Sequence, residues 1–188
     1  MWITREELMG PRAVTVLVLT ATLACGDDPT EPALSGPGYV LSVSIPGVTD
    51  TTFQGDSVYW RYISGPNPVL GRRRELILTL LVLHPPAPLL SPLVLETRWY
   101  HIPRPLPDLG SYDLTGDATG GVYLQANSNV GTWASSSGHI QLSEVTDTSL
   151  RGYMQATLTQ IYPAERYLPD VELRATFWAP HSTDRSVD

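Results

Sequence analysis

Leu150-Arg-Gly152-Tyr-Met154-Gln-Ala156-Thr-Leu158 decides the fold class, because apart from Gly152 its alternate positions are apolar. Arg151, Tyr153, Gln155 and Thr157 take the other face. A period of two belongs to a half-buried strand; a helix repeats near 3.6. Gly152 offers no side chain to that face, which marks a bulge or a close backbone crossing. The pattern recurs in Val171, Leu173, Ala175 and Phe177, set against Glu172, Arg174 and Thr176. It recurs again in Ile140-Gln-Leu142, and Asp147-Thr-Ser149 reads as a short hairpin connection.

Working outward, strands are expected over 39–44, 57–63, 76–83, 94–100, 110–114, 121–126, 137–144, 150–162 and 171–179. The stretch 76–83 is largely apolar on both faces, as in a buried central strand. After residue 37 no window of helical length has amphipathic spacing. The 17 prolines and 15 glycines punctuate short runs along the chain, an all-β signature. The expected fold is all-β, an antiparallel β-sandwich or open barrel of about eight to nine strands. Seven of the prolines lie between 84 and 108, so a strand flanked by two extended loops is expected there.

The N-terminal part has a different composition. Residues 13–24 carry no charge and follow Arg12; Cys25, the one cysteine of the chain, comes next. As a helix these residues would reach roughly 18 Å, short of the ~30 Å hydrocarbon core. That length suits the apolar region of a secretory signal. Glu6 and Glu7 offset Arg5, and Met9-Gly-Pro-Arg12 leads directly into the apolar run, so Met9 is a candidate start. The expected organisation is a signal peptide over 1–24, a lipidated tether over 25–37, a β domain over 38–180 and a flexible tail over 181–188.

Thr22-Leu-Ala24-Cys25 resembles the lipobox of bacterial lipoproteins, in which a small residue precedes an invariant cysteine. Thr22 and Leu23 depart from the usual pattern of that motif. The resemblance implies a covalent diacylglyceryl lipid on Cys25 and cleavage before it. Gly26 at the next position is the type that favours the outer membrane over the inner. A second resemblance covers roughly 105–178, in Pro107-Asp-Leu-Gly110-Ser-Tyr112, Ser137-Gly138-His-Ile140 and the early glycine of 150–156. It is similar to small bacterial lipoproteins with a C-terminal β-sandwich. It implies a fold and a membrane attachment, and no activity.

The net charge is −7, and every cation is arginine. An acidic balance argues against nucleic acid as a partner. Arg72-Arg73-Arg74 is the one basic cluster and reads as a solvated strand entry. With Cys25 acylated, the domain has no thiol for a disulfide, so it relies on its core.

Candidate chemistry is sparse. Gly55-Asp56-Ser57 is similar to the nucleophile block of one esterase superfamily, but Ser57 opens a strand and His181 follows Ala-Pro. His84, His101, His139 and His181 have no metal-ligand spacing. Asp113 and Asp117 sit in a glycine-rich segment that could offer oxygen to calcium; Asp and Gly are equally what a turn demands. Trp99, Tyr100, Trp133 and Trp178 could stack on a glycan or peptide if they cluster at the surface. Most of them are expected to pack in the core.

The functional expectation is a lipid-anchored cell-envelope protein, held by the lipid on Cys25 and otherwise without a cofactor. It would act as a binding or interaction module toward an envelope protein or glycan. The rival readings are a glycan hydrolase using carboxylates such as Asp108 or Asp113, and a lipocalin-like carrier of an apolar ligand.

Overall fold

The computed structural model describes residues 34–67, 71–83, 92–100, 102, 105–115, 121–163 and 169–182. These belong to a compact unit spanning 31–188. The leader, Met9, Cys25 and most of the tether lie outside the described residues, as do His84, His101 and Asp117.

Among the described residues the fold is all-β, as expected. It comprises β1 (Gly38–Ile45), β2 (Thr49–Gly55), β3 (Val58–Asn67), β4 (Gly71–Val82), β5 (Leu93–Tyr100), β6 (Gly110–Asp113), β7 (Val122–Ser128), β8 (Gly131–Val145), β9 (Ser149–Tyr162) and β10 (Val171–Pro180). The count is ten because Thr49–Gly55 is a strand too. Its polar composition, Thr-Asp-Thr-Thr-Phe-Gln-Gly, hid it: β2 is an edge strand that pairs with β1 alone.

All ten strands form one sheet in the order β2-β1-β10-β9-β8-β7-β5-β4-β3, with β6 paired to β8. Each pairing is antiparallel, and the chain winds round the sheet as a meander. Strand directions therefore alternate, and the connections sort to two ends. The β1–β2, β4–β5, β7–β8 and β9–β10 connections share one end. The entry to β1, the exit from β10 and the β3–β4, β5–β7 and β8–β9 connections share the other.

The sheet curls into an open barrel because one face is apolar throughout. Leu41, Val43, Trp60, Leu76, Leu78, Leu80, Leu95, Trp99, Leu124, Trp133, Ile140, Met154, Leu158 and Phe177 belong to a single buried cluster. Burying a face of this size is the main favourable term, at about 25 cal/mol per Å² of apolar surface. Three register irregularities between β8 and β9 sharpen the curl. At one of them Leu142 faces Gly152 while Glu144 faces Arg151, so Ser143 is the extra residue. The bulge expected at Gly152 is therefore present, carried by the strand opposite.

The edges of the sheet meet over a short stretch. His181 bridges to Trp60, and the Ser182 N–H donates to the Trp60 carbonyl at 2.8 Å. The Tyr39 hydroxyl donates to the Leu81 carbonyl at 2.9 Å. His181 and Ser182 thus belong to the folded domain, two residues beyond the boundary expected after Pro180.

Candidate functional site

The four aromatics proposed as a stacking surface part company. Trp99 and Trp133, 2% and 1% exposed, point into the barrel and are core residues, not surface groups. The β5 alternation explains Trp99, which shares a face with Leu93, Leu95 and Thr97. Tyr100 and Trp178 are half-buried on the outer face. Tyr100 faces Glu75 across the β4–β5 pair. Trp178 lies on β10, with the Arg151 guanidinium 3.4 Å from its ring centroid. Three strands separate β5 from β10, so these two share no platform.

Asp113 is exposed on β6 and faces His139 of β8. His139 Nε2 is hydrogen-bonded to the Tyr153 hydroxyl, and the rings meet edge to face. Among the described residues no three His, Cys, Asp or Glu side chains gather closely enough to hold a metal ion. Asp108 is exposed, and its carbonyl accepts from the Tyr112 hydroxyl at 2.6 Å. Ser57 lies in the two-residue step between β2 and β3 and donates to Asp56 Oδ1 at 3.3 Å. The element that follows it is a strand, whereas a nucleophile block needs a helix there.

Among the described residues, apolar side chains line the interior under the first end of the barrel. A void of about 10 Å³ remains among Val43, Leu93, Trp133, Leu173 and their neighbours. A drug-sized ligand needs some hundreds of Å³. The indole N–H groups of Trp60, Trp99 and Trp133 are buried with no hydrogen-bond partner among the described residues.

Among the described residues, two open concavities lie on the β1–β2 hairpin. An open depression of about 680 Å³ is lined by 34–40 and 54–56, where the chain enters the domain. A second, of about 350 Å³, crosses the outer face between Ser42, Asp50, Thr52, Glu172 and Arg174. The first offers Ser35, Gln54 and Asp56; the second offers hydroxyls and charges over a partly apolar floor.

On the outer face of β4 and β5, Arg98 joins two carboxylates. Its Nη2 lies 2.5 Å from Glu96 and its Nη1 lies 3.7 Å from Glu75, whose side chain is only 4% exposed. The paired charges hold the Arg98 guanidinium above its ordinary range despite burial.

The exposed large hydrophobics are what the sequence reading missed. Val48, Leu83, Ile161 and Tyr162 stand out of the barrel at the first end, and Leu109 at the other. Only Leu83 lies in a stretch without charge, since residues 83–92 contain no Asp, Glu or Arg.

No protein-family model matches this chain, and neither a curated protein nor a solved structure does.

Proposed function

We propose that this chain is a lipid-anchored cell-envelope protein whose barrel serves as a binding or interaction module. The observation that carries the reading is Cys25, set between the uncharged run 13–24 and Gly-Asp-Asp-Pro. Each buried CH₂ is worth about 0.8 kcal/mol, so two or more acyl chains on one residue hold a soluble domain firmly. We place it at the outer membrane ahead of the inner one, on the ground of Gly26.

A binding role suits the barrel better than a carrier role, since its described void is small and its open depressions lie outside. Both depressions sit on the hairpin that follows the tether, and their hydroxyl and charged groups suit an envelope protein or glycan. The test is metabolic labelling with a fatty-acid analogue in cells making the wild type or Cys25→Ala. Label on the wild type and none on the variant is the expected result. Equal label on both would refute the anchor.

A further inference from the structure

Four exposed apolar side chains lie at one end of the barrel, and the way they are displayed is unusual for a strand. Alternation should bury one of any two successive residues. In β9 it fails at the last two: Ile161 is 52% exposed and Tyr162 is 69% exposed. The cause is a register shift. Thr132 faces Tyr162 while Trp133 faces Gln160, so Ile161 is the unmatched residue and the strand turns outward. A bulge is a way of re-aiming side chains, and this one aims two large apolar groups away from the core.

Val48, in the β1–β2 connection, and Leu83, just after β4, are exposed at the same end. Single exposed apolar residues need no explanation; a set rimming one end of a domain does. Charge is not divided so cleanly: at this end 163–170 carries Glu165, Arg166 and Asp170, and Asp50 is exposed two residues after Val48. The 83–92 connection at this end has no Asp, Glu or Arg, whereas at the other end 101–121 carries Arg104, Asp108, Asp113 and Asp117. Tyrosine beside aliphatic side chains is the composition favoured where protein meets lipid headgroups.

We propose that the barrel end bearing Val48, Leu83, Ile161 and Tyr162 rests on the surface of the membrane that holds the anchor. This orientation rests on the lipid-anchor reading of Cys25. The chain enters the domain at the opposite end, so the orientation requires only that the tether be long enough to reach the rim. Nine peptide steps from Cys25 to Leu34 reach about 30 Å when extended. The eight residues of β1 cover roughly 26 Å along the strand, and less along the barrel axis because strands tilt. Anchor and rim can therefore engage one membrane together. An acidic protein gains nothing from anionic lipid, so the contact is apolar and a neutral membrane suffices.

The test uses the full lipidated chain, reconstituted into phosphatidylcholine vesicles that contain a spin-labelled quencher lipid. A fluorophore is placed at Tyr162→Cys, Val48→Cys or Leu109→Cys, all exposed positions; acylated Cys25 has no thiol to label. We expect at least twofold stronger quenching at 162 and 48 than at 109. Equal quenching, or stronger quenching at 109, overturns the orientation and leaves the rim to a protein partner. Mass spectrometry of the same sample reads the anchor separately. A missing lipid overturns the anchor and the orientation with it, whereas an intact lipid with equal quenching overturns the orientation alone.

Discussion

Trp60 and His181 stack with ring centroids 4.2 Å apart and planes 24° from parallel, although 121 positions separate them in the chain. The pair closes part of the seam between β3 and the end of β10. Main-chain bonds flank it: the His181 N–H donates to the Thr148 carbonyl and the Ser182 N–H to the Trp60 carbonyl, each at 2.8 Å. An aromatic pair of this kind contributes about 0.5–1.5 kcal/mol, and each hydrogen bond about 1 kcal/mol net. Ending the chain at Pro180 should therefore cost about 3 kcal/mol. That lowers the melting temperature by roughly 6–12 °C for a protein of this size. His181→Phe should keep most of the stack. A truncated chain that melts with the full one would show that the seam holds without these residues.

Gly152 and Gly138 mark two close approaches between β8 and β9. A Cβ at Gly152 would be driven into the Gln141 carbonyl oxygen and would come 3.1 Å from Phe177 Cζ. Gly138 has φ of +130°, and a Cβ there would meet the Gln155 carbonyl. Either substitution by alanine should destabilise by about 3 kcal/mol, the upper part of the range for overpacking. Gly65, where an added Cβ would meet nothing within 4 Å, serves as the control. Urea unfolding of the three variants measures the difference, and comparable midpoints would refute the packing argument.

Removing the Arg98 side chain leaves Glu75 buried with fewer partners. Breaking a buried ion pair from one side can cost ~3–5 kcal/mol. Arg98 is 24% exposed at the side chain, so solvent reduces that cost. Arg98→Ala should destabilise by about 2 kcal/mol, and Glu75→Gln in the same background should recover part of it. A double-mutant cycle reads the coupling; additive losses would mean that the two groups act separately.

The alternating strands β8 to β10 were legible because each buries one face, and period two follows from that. The β2 strand was not, because it borders the sheet and carries threonines on both faces. The start of β8, Gly131-Thr-Trp-Ala-Ser-Ser, is small and polar apart from Trp133 and gave no alternation to read. Trp99 could have been placed inward from its register with Leu93 and Leu95. The Trp60–His181 seam could not, since nothing local ties residues so far apart in sequence. The apolar rim needed both a meander, which sorts the connections to two ends, and a bulge at Ile161. Neither leaves a mark in composition. Cys25 was legible as a motif, and its chemistry stands as a proposal.

Alkaline pH offers the last test, through Tyr39. Burial raises its phenol above the usual 10.0, and Asp56 pushes in the same direction. The hydroxyl is the donor to the Leu81 carbonyl at 2.9 Å. In the unfolded chain the phenol ionises near 10. Below that pH both states keep the proton, and the contribution is fully present. Above it the unfolded chain releases its proton first, so stability falls as pH rises from about 10 through the folded value. Tyr123 is raised as well, by burial and against the influence of Arg98, and adds to the same fall. Tyr39→Phe should cost about 1 kcal/mol at neutral pH, because the Leu81 carbonyl loses its donor. It should also lose less stability than the wild type between pH 9 and about 11. Urea titrations at both ends of that range decide the matter, and parallel losses in the two proteins would show that Tyr39 titrates no differently when folded.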